Sequence, residues 1–451
     1  MMRLQLSALC AATDGRLAGD DVIVTGLCHD SRQVEPGDLF VALPGEHADG
    51  HDFVAAAAAA GASAAVVDRM LEVDLPQLLV EDPQLAMGRI AAHWRAGLDL
   101  SLVGITGSNG KTTDKEMVTA ILSACAPTLA TRGNYNNEIG MPLTLARLDA
   151  LHRFAVIEMG ASGPGDIRYL AELARPDVGL VNNAGPAHLE GFGSLEGVAR
   201  TKGEMYSALA PGKTAVINAD DAFFNLWWDM ASHCQRLTFG SSSRADIRAD
   251  LSGSVAGQAI TVHTPAGQAE LNLPLPGRHN RMNALAALAI GHALEVPLDQ
   301  AVAALERMQA LPGRLQPHRH ADGWQLIDDS YNANPASLYA GLQVVTGMPG
   351  QAWLVLGDMA ELGEDAARLH GEMGQAAADL GVRRLLTIGP LSRQASLAFG
   401  PGGEHFDSHD ALAAALREGL KTGINCLVKG SRSMAMERVV RSLIEPGDEP
   451  C

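Results

Sequence analysis

Short apolar runs alternate with longer stretches whose apolar positions recur at helical spacing, and this rhythm holds over most of the chain. The run Leu-Ser-Leu-Val-Gly-Ile-Thr (100–106) reads as a buried strand, and Met117, Val118, Ile121, Leu122 and Cys125 then fall on one helical face. The runs Phe-Ala-Val-Ile-Glu-Met-Gly (154–160), Val-Gly-Leu-Val-Asn-Asn (178–183) and Thr-Ala-Val-Ile-Asn (214–218) repeat the strand pattern. Near-continuous apolar runs of this length suit strands covered on both faces, so the alternation predicts a parallel sheet with helices on either side. Residues 245–275 break the rhythm. There Ile-Thr-Val-His-Thr and Gln-Ala-Glu-Leu flank a Pro-Ala-Gly turn and predict an inserted β-hairpin. Beyond Pro312 a second alternation starts, with strands expected at 324–329, 352–358, 383–389 and 424–430.

The first 82 residues differ from both. An alanine-rich helix, a glycine and a strand (53–67) follow a stretch, 28–54, crowded with Gly, Pro, Asp and His. Pro83 to Gly97 reads as a linking helix. The expected organisation is α/β in three domains: a small α/β unit at 1–82, a central phosphate-loop parallel-sheet unit with the hairpin insertion at 83–312, and a Rossmann-like unit at 313–451. A length of 451 residues is enough for three such cores.

Composition narrows the function. Hydrophobic residues make up 47 % and aromatics 4 %, so the cores are aliphatic. The net charge of −18 argues against nucleic acid, which needs a basic footprint. An anionic ligand therefore has to be held by local positive groups. No basic segment leads into an apolar core at the N-terminus, and no run is long and apolar enough to span a bilayer. Six cysteines without a Cys-x-x-Cys pair fit a reducing compartment, so a cytoplasmic location is expected.

The sharpest chemical signal lies between the first central strand and its helix. Gly107-Ser108-Asn109-Gly110-Lys111-Thr112-Thr113 puts two glycines, a lysine and a threonine where strand gives way to helix. Glycines let the backbone approach an anion, helix N–H groups point at it, Lys111 adds charge, and Thr112 offers a hydroxyl to Mg2+. Ligands in such sheets bind beyond the C-terminal ends of strands. Glu158 at one strand end is a natural Mg2+ ligand, and His188 follows another. Lys202 lies on the next helix, where a lone lysine is ordinarily a solvated charge.

Taken in order, Thr-Gly-Ser-Asn-Gly-Lys-Thr-Thr (106–113), Glu-Met-Gly (158–160), the stretch 187–206, Gly-Arg-His-Asn-Arg-Met-Asn (277–283), Asp-Asp-Ser-Tyr-Asn-Ala-Asn-Pro (328–335) and Val-Leu-Gly-Asp-Met-Ala-Glu-Leu-Gly-Glu (355–364) closely resemble the Mur ligases over essentially the whole chain. The last two segments resemble the branch that adds D-alanyl-D-alanine to UDP-N-acetylmuramoyl-tripeptide. The resemblance implies ATP and Mg2+, an acyl-phosphate intermediate, and a monomeric enzyme of peptidoglycan precursor synthesis. It implies that Gly107, Ser108, Asn109, Gly110, Lys111, Thr112 and Thr113 hold the ATP phosphates. Thr112, Glu158, His188 and a carbamylated Lys202 would serve the metal, with Lys111, Lys202 and His188 as the catalytic set. His279, Asn280 and Asn283 would lie on the base side of the nucleotide, and Arg314 and Asp329 would close on ATP. Ser31 and Arg32 would contact the uridine sugar, and Asn332 and Asn334 the incoming dipeptide. One departure is Asp114, where the family pattern has a small aliphatic residue. An acid in the first turn suits a helix dipole, yet it also sits near bound phosphates. Open alternatives are a Mur-type ligase adding a single amino acid and a nucleotide-binding scaffold without activity.

Overall fold

The computed structural model describes residues 2–45, 48–186, 189–251 and 258–444. Three larger sheets succeed one another along the chain. The first has five strands, with Ile23 and Val24 pairing separately with Leu4 and Gln5. It is followed by the helix Pro83–Ala96. That helix starts sharply, because Pro83 sits in its first turn and Asp82 accepts the N–H groups of Gln84 and Leu85.

The second sheet has nine strands. From one edge they run Gly267–Leu271, Ile260–Thr264, Ile247–Arg248, Gln235–Gly240, Thr214–Asn218, Val178–Val181, Ser101–Thr106, Phe154–Glu158 and Thr128–Ala130. All pairings from Thr128–Ala130 to Ile247–Arg248 are parallel, and the hairpin joins that edge antiparallel. Alternate residues of Ser101–Thr106 feed opposite faces. Val103 and Ile105 pack with Met117, Val118 and Ile121, whereas Leu102 packs with Ala155, Ile157 and Leu170. The strand is apolar on both faces because helices cover both, as its uninterrupted hydrophobicity predicts. The helical pattern reached one residue pair too far, since the helix stops at Ser123 and leaves Cys125 exposed.

The third sheet orders its strands Gln316–Arg319, Gln325–Asp329, Ile424–Lys429, Gln351–Gly357, Arg384–Ile388 and Gly403–Phe406. Only the first of these pairs antiparallel. Strands at 128–130, 235–240, 316–319 and 403–406 had no clear apolar signature; edge position or partial exposure explains why three of them lack one. Among the described residues no helix is long and apolar enough to cross a membrane.

Candidate active site

The segment 107–110 turns between the strand Ser101–Thr106 and the helix Lys111–Ser123. Gly110 has φ +84°, and a Cβ there would stand 2.7 Å from Asn182 Nδ2 and 3.0 Å from Asn283 Oδ1. Glycine is therefore required twice over, by backbone conformation and by space. Asn183 holds the loop from the neighbouring strand end. Its carbonyl accepts the Ser108 N–H at 3.0 Å, its Oδ1 accepts the Asn109 N–H at 2.9 Å, and its Nδ2 donates to the Asn109 carbonyl at 3.0 Å. Ser108 and Asn109 thus spend their backbone N–H groups on the scaffold. The N–H groups of the helix's first turn, from Lys111 to Thr113, have no intrahelical acceptor and are the ones left to an anion.

Lys111 Nζ donates to the Gly107 carbonyl at 2.8 Å, folding back over the loop. Burial pulls its pKa down, against the opposing charge of Glu158. Thr112 Oγ1 donates to Glu158 Oε2 at 3.0 Å, and Asn136 Nδ2 donates to Glu158 Oε1 at 2.8 Å. The Glu158 N–H donates to Thr131 Oγ1, whose residue's carbonyl takes the buried Lys115 ammonium at 2.8 Å. Glu158 is thereby aimed at Thr112 by groups on three other segments.

Two buried groups near this loop form no ion pair among the described residues. Lys202 is 2 % exposed, with its Nζ 5.4 Å from the centre of the Phe192 ring. Burial, aided by the charge of Lys111, drops its pKa to about 7. Asp114 is fully buried, and among the described residues neither of its carboxyl oxygens makes a hydrogen bond of good geometry, although the Asn182 amide lies near enough to favour its charge in part. Burial pushes it well above the ordinary carboxylate range, and the charge of Glu158 adds to this. Burial disfavours the charged form of this carboxyl, which weakens the helix-dipole argument for an acid at 114.

The third unit reaches this loop from the other side. Arg314 donates to Thr112 Oγ1 at 2.9 Å while its guanidinium stacks 4.3 Å from the Tyr331 ring centre. Asn334 Nδ2 donates to Asn109 Oδ1 at 2.7 Å, and the same side chain caps the helix Pro335–Thr346 in a capping box with Ser337. Asp329 accepts the Lys429 ammonium at 2.6 Å and the Leu315 N–H at 3.2 Å. The Asn332 carbonyl accepts a further Lys429 N–H at 2.9 Å. His279 lies close enough to Lys429 that this charge adds to burial in lowering its pKa to about 4. Asn280 Nδ2 donates to the Pro276 carbonyl, and Asn283 Oδ1, beside Gly110, accepts from Asn182 Nδ2 at 3.0 Å.

Ser31 and Arg32 stand apart in the first unit. Arg32 is exposed and forks onto Asp30 through two hydrogen bonds of 2.8 and 2.7 Å, which holds the Asp30 carboxyl far below its usual range. His188 lies outside the described residues.

The arrangement has counterparts among known proteins. Family models match three successive parts of the chain: "Mur ligase family, catalytic domain" at residues 23–95, "Mur ligase middle domain" at 105–291 and "Mur ligase, glutamate ligase domain" at 313–432. The UDP-N-acetylmuramoyl-tripeptide--D-alanyl-D-alanine ligase of Escherichia coli (strain K12) is 45 % identical over 99 % of this chain and 100 % of its own. This chain belongs to the Mur ligase family. The enzyme of the same name from Bacillus subtilis (strain 168) is 32 % identical over 99 % of both chains. Among solved structures, the Acinetobacter baumannii Mur ligase MurF superposes with a TM-score of 0.92 at 35 % identity, covering 98 % of this chain and 99 % of that one. MurF of Thermotoga maritima, solved in complex with ADP, gives 0.84 at 28 % identity over 93 % and 97 %.

Several residues that organise this Mur ligase site escaped the sequence reading as site residues. Asn136, Thr131 and Lys115 support Glu158, and Asn182 and Asn183 hold the loop. Lys429 carried a usable signal, since a lysine ending the apolar run 424–428 has to be paired once buried. Asn136 carried none, because asparagines are common in loops. The donor set suits Mg2+. Thr112 and Glu158 present hard oxygens side by side, and Mg2+ ordinarily takes one or two protein oxygens and completes its shell with phosphates and water.

Proposed function

We infer that this Mur ligase is the ATP-dependent enzyme that joins D-alanyl-D-alanine to UDP-N-acetylmuramoyl-tripeptide in peptidoglycan precursor synthesis. The observation that carries the reading is the seam across the phosphate loop, where Arg314 and Asn334 of the third unit reach Thr112 and Asn109 of the second. A nucleotide bound there is enclosed from both sides, while end-to-end identity to ligases of this name supports the choice of substrates.

When bound, MgATP supplies a phosphoryl group that turns the peptide carboxylate, a poor acyl donor, into an acyl phosphate open to the dipeptide amine. The chain's own part is positioning and charge. The first-turn N–H groups and Lys111 hold the phosphates, with Gly107 and Gly110 letting the backbone come close. Thr112 and Glu158 would hold Mg2+, and His188 would join them. Arg314 covers the phosphates from the third unit, and closure of that unit keeps water from the reacting carbonyl. Lys202, as a carbamate, would offer an oxygen ligand to a second Mg2+. An ammonium would repel the metal, whereas a buried amine with a pKa near 7 is in part neutral and able to react with CO2. His279, Asn280 and Asn283 flank the base side, and Asp329 holds Lys429 beside them. Residues 1–82, through Ser31 and Arg32, take the UDP-sugar. Residues 83–312 take ATP, and residues 313–451 take the dipeptide near Asn332 and Asn334. The enzyme works as a cytoplasmic monomer, where ATP is available.

The test is phosphate release by purified enzyme with ATP, Mg2+ and UDP-N-acetylmuramoyl-tripeptide. Release that depends on D-alanyl-D-alanine, with a product heavier by the dipeptide residue mass, is the expected result. Equal release with a single amino acid, or none with the dipeptide, overturns the reading.

A further inference from the structure

The loop that leaves the strand Gln351–Gly357 and enters the helix Ala366–Asp379 is pinned from several sides. Asp358 Oδ1 accepts the N–H groups of Leu391 and Ser392 at 3.1 and 2.7 Å. The Asp358 carbonyl accepts the Ser431 N–H at 2.9 Å, and the Ala360 N–H donates to Ser431 Oγ at 2.7 Å. Glu361, a residue with a Cβ, is held at φ +62°, a conformation that persists only where surrounding structure over-determines it.

His370 supplies the remaining constraint. It is 0 % exposed and reaches back from its helix to both ends of the loop. Its Nε2 lies 2.8 Å from the Met359 N–H and its Nδ1 lies 2.6 Å from the Ala366 carbonyl. A backbone N–H can only donate and a carbonyl can only accept, so the ring is the neutral tautomer with its proton on Nδ1. Both nitrogens are spent on the backbone, and the ring has none left for proton transfer.

The loop also connects to the reacting centre. Ser431 Oγ, which receives the Ala360 N–H, lies 3.5 Å from the Ala333 carbonyl, and the next residue, Asn334, touches Asn109 of the phosphate loop. Ser431 is two residues from Lys429, the partner of Asp329. The loop is thus tied through Ser431 to residues 332–334, the segment assigned above to the incoming dipeptide.

We propose that His370 is a positioning residue for the amine donor, holding residues 358–366 in the single shape that receives D-alanyl-D-alanine. This rests on the reading that the third unit takes the dipeptide. The test is steady-state kinetics of the full-length enzyme with each of its three substrates varied in turn. His370→Ala is expected to raise KM for D-alanyl-D-alanine about tenfold, as the loss of one buried hydrogen bond would, with KM for ATP and for the UDP-tripeptide within about twofold. His370→Gln, whose side-chain oxygen accepts the Met359 N–H, should recover most of that loss. Equal rises for all three substrates, an unchanged dipeptide KM, or no recovery by His370→Gln would overturn the proposal. Should His370→Ala fail to fold, His370→Asn, which reaches the Ala366 carbonyl but falls short of Met359, decides by the same split. If the wild-type enzyme ligates a different acceptor, the functional reading fails, and the same split measured with that acceptor still decides the role of His370.

Discussion

The C-terminal edges of the two large sheets both bury charge, and they treat it in opposite ways. At the third sheet Asp329 and Lys429 meet at 2.6 Å, and Asp358 satisfies the start of the helix Ser392–Phe399. Those charges are balanced inside the fold. At the central sheet Lys111 and Lys202 form no ion pair among the described residues, and Glu158, whose charge acts on Lys111, is held by the neutral groups Thr112 and Asn136. Uncompensated buried charge is costly. It persists at the central edge because balancing charge arrives with the nucleotide. One edge is built for stability and shape, and the other is left for ATP.

Substitutions can break that contrast. The largest effect is expected from Lys111→Ala. Removing a preorganised charge from the phosphoryl centre should cut turnover by about a thousandfold or more, with stability changed by less than about 1 kcal/mol. Ligation near the wild-type rate at saturating ATP, alongside an unshifted melting curve, would remove Lys111 from the site. Lys429→Met is the mirror experiment. It strands Asp329 in the interior and should cost about 3–5 kcal/mol of stability, read by denaturant unfolding. Adding Asp329→Asn to that variant should restore part of the loss. If Lys429→Met unfolds no more readily than Lys111→Ala, the two edges do not differ in the way their geometry implies.

Lys202→Ala sharpens the central edge. Activity should fall by about a hundredfold, as for loss of a metal-site group, and acetate or formate at constant ionic strength should restore part of it. Lys202→Arg should not respond, because the guanidinium keeps its charge and fills the space. Full activity of the alanine variant would return Lys202 to a packing role.

The smallest effect concerns Asp114. Its carboxyl oxygens are buried without a hydrogen bond of good geometry among the described residues, so Asp114→Val should stabilise the protein by about 1–3 kcal/mol and leave KM for ATP within about twofold. A destabilised variant would mean that the carboxyl has a partner in solution. A large change in KM would mean that it carries charge beside the phosphates.

The phosphate loop was legible because its requirements are local. Gly110 needs a positive φ, Lys111 and Thr112 must follow it directly, and a strand and a helix must flank the turn, all within about 20 consecutive residues. The inner strands covered on both faces, such as Ser101–Thr106 and Gln351–Gly357, were legible for a similar reason, since burial on both faces writes an apolar run. The supports of Glu158 were not. Lys115, Thr131 and Asn136 are ordinary residues in sequence, and their purpose exists only where three segments meet. His370 is similar. In sequence it is one histidine on an amphipathic helix, and only the fold brings its two nitrogens onto Met359 and Ala366.

By itself the sequence determined the α/β class, the succession of strands and helices, the nucleotide loop and the family, because hydrophobic periodicity and contiguous motifs act over a few turns of chain. The tertiary structure decided which buried charges are paired and which are left for a ligand. It placed Asp114, in sequence an acid suited to a helix dipole, where burial disfavours its charge. It also brought Arg314 and Asn334 onto a loop more than 200 residues earlier in the chain. Electrostatic and hydrogen-bond energies depend on distance and burial in space, and neither is written in the order of residues.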